Sequence, residues 1–146
     1  MFVARFLYLP VLVLCSLGVG VIAQEQLSGE AAIEARQELM HSNASVMQSA
    51  GAATGADAVT AGETLVANFQ RLPDLFPEDS KEGETRALPL IWEDMEGFQA
   101  EITAAQEAAQ AVLDAANADD AEAYAAAIGA MGGRCGSCHS KYRAES

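Results

Sequence analysis

Residues 91–112, IWEDMEGFQAEITAAQEAAQAV, decide the fold. Ile91, Met95, Phe98, Ile102, Ala105, Ala109 and Val112 recur at alternating steps of four and three residues. That spacing returns apolar side chains to one side of an α-helix and builds a helix-bundle seam. After a break around Asn117 to Asp120, the same steps carry Tyr124, Ile128, Met131, Cys135, Cys138 and Tyr142 toward the C-terminus, so both cysteines fall on the stripe expected to be buried. Alanine dominates residues 100–130, which lets helices approach closely or leaves room for a group that is not a side chain.

Upstream, Ser28 to about Ala50 places Ile33, Met40, Ala44 and Met47 on one side, with Ser28 as N-cap and Gly51 as stop. A weaker segment from Asp57 to Arg71 carries Val59, Val66, Phe69 and Leu72, and Gly62 costs it about 1 kcal/mol of propensity. Pro73, Pro77 and Pro89 bound a polar stretch, Asp74 to Leu88, that reads as a long connection between two helical pairs. No strand is required. Four amphipathic helices with two short links and one long one predict an all-α fold, an antiparallel four-helix bundle over residues 24–146.

Residues 1–23 read as an address. Arg5 precedes a nearly continuous apolar run from Phe6 to Ile22, which ends at Ala23 before the polar Gln24, the pattern of a secretory signal peptide. The run is short for a span of about 20 residues and lacks a basic stop-transfer cluster. Cys15 follows Leu14 rather than a small residue, which argues against lipidation and sends Cys15 away with the signal. Export to the periplasm is expected, with no membrane association after cleavage.

The chain carries 21 acids and 8 bases, a formal charge of -13, so it has little with which to neutralise phosphate, and nucleic acid is a poor partner. A basic or locally positive partner protein fits that field better. With 51% hydrophobic residues, the chain can bury a core.

Beyond residue 23 only two cysteines remain, in the string Cys135-Gly136-Ser137-Cys138-His139. Cys-x-x-Cys-His is the attachment signature of c-type haem, in which two thiols add to vinyl groups and the adjacent imidazole becomes an axial ligand. On a helix the second cysteine lies three residues and the histidine four from the first, so all three point to one side. Two rival readings stay open. A reactive dithiol prefers a helix N-terminus, whereas this pair lies late in a helix. A zinc site needs a fourth ligand, and the other histidine, His41, belongs to a different helix. His41 points about 100° from Met40 around that helix and reads as solvated. Glu93, Asp94 and Glu96 read as solvated surface.

The string CGSCHSKYR, residues 135–143, resembles the C-terminal signature of class II cytochromes c, the cytochrome c′ family. Leu75-Phe76-Pro77-Glu78, Gly83-Glu84-Thr85-Arg86-Ala87, Ile91-Trp92 and Phe98 are similar to that family's central block in order and spacing. The resemblance implies one covalent haem c held by Cys135 and Cys138 inside the bundle, with His139 as proximal ligand. It implies Arg143 beside that ligand, Arg36 near the haem propionates, and Met40 on the distal side, with Trp92, Phe98 and Tyr142 as pocket walls at best.

Met40 separates two functions. The text Leu39-Met40-His41-Ser42-Asn43 resembles the low-spin branch, in which methionine binds iron opposite histidine. A thioether in the sixth position raises the reduction potential and makes the protein a single-electron carrier. Met47 is the reserve ligand, about 10 Å along the helix axis. A non-ligating residue at position 40 leaves iron five-coordinate and open to nitric oxide or carbon monoxide. No nucleophile-base pair or phosphate loop suggests enzymatic turnover. A homodimer across the first two helices is compatible with the pattern.

Overall fold

Helices form where the apolar period runs and stop where the backbone is turned. The computed structural model describes residues 27–145, so the expected signal segment, residues 1–23 with Cys15, lies outside the described residues. Helix α1 is Gly29–Ala50 and α2 is Gly55–Arg71. A connection containing two short 3-10 turns, Leu72–Leu75 and Glu78–Ser80, leads to a single-turn helix α3, Leu90–Glu93. Helix α4 is Met95–Asn117 and α5 is Ala121–Tyr142. The four long helices make an antiparallel bundle, and no strand occurs among the described residues.

The seam of residues 91–112 is interrupted at Asp94, where one continuous helix was expected. Asp94 leaves helical geometry (φ -124°, ψ 56°), and its carboxylate accepts from Gly97 N at 3.1 Å as the N-cap of α4. The same carboxylate accepts from Tyr142 Oη at 2.9 Å, tying the start of α4 to the end of α5. Asp94 is exposed, as expected, and serves as a structural cap as well.

The core runs through Leu65, Leu75, Ile102, Val112 and Met131, all essentially sealed from solvent. Helix α4 packs along both α2 and α5, whereas α1 and α5 hardly touch. Gly62 explains the close α2–α4 crossing: a Cβ there would stand 2.7 Å from Leu113 Cα. The residue that weakened the helix reading is the one that admits the neighbouring backbone.

The buried stripe of α2 is Ala58, Ala61, Gly62, Leu65 and Phe69, so Val59 and Val66 sit at its half-buried edge instead of at its centre. On α1, Ile33 is buried as expected, but Met40 and Met47 are half-buried and Ala44 is exposed. Cys135 and Cys138 are likewise half-buried. Met40, Ala44, Met47 and the two cysteines miss the core for one reason, which is that they face open space between α1 and α5.

Candidate cofactor site

Two cavities occupy the α1–α5 gap. One, of about 390 Å³, is walled by Met40, Ala44, Leu72, Phe76, Ile91 and Phe98, with Cys138 and His139 on the opposite side. The other, of about 210 Å³, lies between Asn43, Ala44, Met47, Phe69, Ile102 and Ala105 and the α5 residues Gly132, Cys135, Cys138 and His139. Met40 and His139 line both. Small residues on α4 and α5 are what leave this volume unfilled.

Helix α5 presents the attachment motif to this space as its 3.6-residue period requires. Burial pushes the Cys135 thiol up, and Cys138 is pushed up to about 11, first by burial and then by the charge of Glu101. Both thiols are protonated at neutral pH, the opposite of a reactive dithiol, whose thiolate must be favoured. Among the described residues no three His, Cys, Asp or Glu side chains converge to hold a metal ion.

Charge is distributed unevenly around the larger cavity. Arg36, Arg86 and Arg143 line it, and no carboxylate does, in a chain with 21 acids. His139 is held below the ordinary imidazole range by burial first and then by Arg143 and Arg86, so its lone pair is free to bind a metal. Arg143 is the C-cap of α5, and its N–H donates to His139 O at 3.2 Å.

Arg36 is 4% exposed. Its guanidinium donates to Leu75 O at 3.3 Å, Ser80 Oγ at 2.9 Å, Ser80 O at 3.0 Å and Thr85 Oγ1 at 2.7 Å. It also lies 5.0 Å above the Phe76 ring centroid. These bonds fasten the 72–85 connection to α1, so Asp74 to Leu88 is no slack linker. Trp92 donates to Phe76 O and Pro77 O at 3.1 and 3.3 Å. It braces that turn and leaves the wall to Phe76, which stacks edge-on against Phe98 at 4.7 Å, as Phe98 does against Tyr142 at 5.1 Å.

The structure thus brings Arg36, Met40, Cys138, His139 and Arg143 to one cavity and adds Cys135 at its neighbour. His41 is exposed, as expected, at the rim. Arg86 and Thr85 were not singled out from sequence. Their only signal was their place in the central block, because a loop has no period to show where a side chain points. Arg86 is held there by the tail: Ala87 bridges Arg143, Ala144 N donates to Arg86 O, and the Arg86 guanidinium donates to Ala144 O at 2.7 Å.

A flat apolar group with an anionic edge fits this space. The walls are aliphatic and aromatic, one end is cationic, and two thiols and an uncharged imidazole face it from one helix. The family model for cytochrome c′ matches residues 31–143. The chain belongs to the cytochrome c′ family. Proteins of the family carry one covalently attached haem c, bind gases and carry electrons.

The chain is 36% identical over 134 residues to cytochrome c-554 of Cereibacter sphaeroides, covering 84% of this chain and 86% of that one. Among solved structures, cytochrome c′ of Thermochromatium tepidum superposes with a TM-score of 0.76 at 28% identity, covering 82% of this chain and 99% of its own. A cytochrome c′ described as having unusual ligand-controlled dimer dissociation gives 0.75 at 29% identity, covering 82% and 98%. The family model and the two solved structures favour the cytochrome c′ reading over the single-electron carrier with Met40 as a ligand.

Proposed function

We propose that this chain is an exported cytochrome c′ that binds nitric oxide or carbon monoxide at a five-coordinate iron and passes single electrons. Gas binding and the one-electron change are what the haem supplies when bound; the chain supplies the rest. Cys135 and Cys138 hold the group to α5, and His139, kept uncharged by burial and by Arg143 and Arg86, offers its lone pair. Arg36, Arg86 and Arg143 complement an anionic edge. The apolar walls exclude water and charged ligands, and small neutral molecules are left as guests.

The observation that carries this reading is the likeness to cytochrome c′ over residues 31–143, which takes in the whole bundle and the attachment motif. The 210 Å³ cavity, lined by Met40, Asn43 and Met47 on α1 and by Cys135 and Cys138 on α5, is part of the gap that the haem would fill. One observation favours the alternative electron carrier: Met40 and His139 line the same two cavities from opposite helices.

Optical and EPR spectra of the holoprotein beside Met40→Ala decide between them. High-spin iron in both, with carbon monoxide taken up freely, is expected. A low-spin wild type turned high-spin by the substitution would overturn the five-coordinate reading.

Residues 1–23 are read as a signal, which the N-terminal mass of the exported protein tests. No helix among the described residues is long and apolar enough to cross a membrane. The net charge supports a basic or locally positive redox partner, tested by a rise in electron-transfer rate as ionic strength falls. The likeness to a cytochrome c′ described by its dimer dissociation supports a homodimer, which we place across the α1–α2 face. Sedimentation of wild type beside Val59→Lys/Val66→Lys tests it, and a wild type that sediments as a monomer overturns it.

A further inference from the structure

Among the described residues, Glu101 is the one carboxylate that lines either cavity of the α1–α5 gap. The other acids of α4, Glu96, Glu107 and Asp114, are exposed, whereas the Glu101 side chain is only 12% exposed. Its Oε2 accepts from Ser137 Oγ at 3.0 Å and its Oε1 from Lys141 Nζ, so α5 holds it both from inside the attachment motif and from just beyond it. The Lys141 side chain is 56% exposed. The pair is therefore lopsided. The cation stands in water, where its field is screened, and the carboxylate stands at the wall of an apolar cavity, where its field carries.

A staple between two helices needs no such burial, because an exposed pair avoids the cost of taking a carboxylate out of water. The imbalance is felt at the motif. At the Cys138 sulfur the charge of Glu101 counts for more than the opposing charge of Lys141. Arg134 lines the same cavity, but it is exposed and screened as Lys141 is. The net field at this end of the gap is negative, while the larger cavity is lined by Arg36, Arg86 and Arg143.

We propose that Glu101 tunes the reduction potential of the haem: its carboxylate sets a fixed negative charge beside the group held at Cys138 and favours oxidised iron, which carries one more positive charge than reduced iron. Glu101 touches no reacting atom and acts through its field. The inference rests on the reading that the haem passes single electrons, and it holds for either state of the sixth position.

The test is the midpoint potential of the holoprotein at pH 7, set with small mediators, for wild type, Glu101→Gln and Lys141→Gln. Glutamine at position 101 keeps an acceptor for Ser137 and loses the charge; glutamine at position 141 removes the cation and leaves the carboxylate less compensated. Both substitutions break the same contact between α4 and α5, so a merely structural role moves the two potentials alike. A field moves them apart. Glu101→Gln is expected to make reduction roughly three- to ten-fold more favourable, about 30–60 mV upward at about 59 mV per ten-fold for one electron, and Lys141→Gln to lower the potential by a smaller step. Shifts of the same sign, or no shift in Glu101→Gln, would overturn the role of Glu101. Electron exchange with a protein partner is a separate measurement; its absence would overturn the electron-passing reading and leave the two shifts in place.

Discussion

The two sides of α5 are built differently. Toward α4 the helices close on alanines and on buried Met131 and Tyr124, and α4 in turn closes on α2 so tightly that a methyl carbon at Gly62 would stand only 2.7 Å from the Leu113 backbone. Toward α1 the same helix faces two cavities, and Met40 and Met47 of α1 and Cys135, Cys138 and His139 of α5 sit at half-burial there. Three seams of the bundle are therefore sealed by side chains, while the fourth is shaped for a group that the polypeptide does not contain. Where the apolar period is satisfied by a neighbour, sequence pattern and burial agree. Where it is satisfied by a cofactor, the period persists and burial fails.

The largest test of that contrast removes the cofactor. Cys135→Ser with Cys138→Ser is expected to remove a large part, but not all, of the roughly 5–15 kcal/mol that holds a domain together. The loss should be uneven: amides of α1 exchange freely while α4 keeps more of its protection. Equal protection of α1 with and without haem, followed by hydrogen exchange, would break the comparison. Arg36→Leu comes next. It strips bonds from Leu75 O and Ser80 O, and each buried acceptor left unpaired costs about 1–3 kcal/mol, so a loss of roughly 2–5 kcal/mol is expected in denaturant titration. Arg36 needs no carboxylate for this role, and a titration unchanged by the substitution would deny it.

Glycines sharpen the comparison by sign. Gly62→Ala must push the α4 backbone at Leu113 and should destabilise by about 1–3 kcal/mol. Gly133 on α5 has open space where a methyl group would stand, with nothing within 4 Å, and Gly133→Ala should stabilise by about 0.5–1 kcal/mol through helix propensity alone. A thermal midpoint raised by Gly62→Ala as it is by Gly133→Ala would mean that the α2–α4 approach is not as close as the Leu113 contact requires.

Much of this was legible from pattern. The four helices and the helical placement of Cys135, Cys138 and His139 follow from period and motif, which are local properties. The break at Asp94 did not, because the apolar step runs on through a residue whose carboxylate is engaged by both Gly97 and Tyr142. Nor was the stripe of α2 correctly centred. Alanine and glycine, which carry little hydropathy signal, take the inner positions there, and the more apolar Val59 and Val66 flank them. The fastening of Arg36 to Ser80 and Thr85 joins residues more than 40 positions apart and leaves no trace in spacing.

The smallest expected effect concerns pH, at the rim of the open side. Glu101 on α4 accepts from Lys141 and Ser137 of α5, and its carboxyl is held below the usual 4.5, first by the Lys141 hydrogen bond, against an opposing push from burial. A carboxyl with a folded pKa below its unfolded one binds more protons when unfolded, so its contribution is whole above about 4.5 and fades as pH falls through the folded value. Below that, both states are protonated and the contribution is gone. Glu101→Gln should therefore lower the thermal midpoint slightly at pH 7 and converge on the wild type in acid, with a shallower slope between. Lys141 is well exposed, so added salt should shrink the gap at pH 7. Parallel curves for the two proteins across that range would mean that the contact does not fasten α5 to α4 at the motif, and that covalent attachment and the Tyr142–Asp94 bond bear that end of the helix instead.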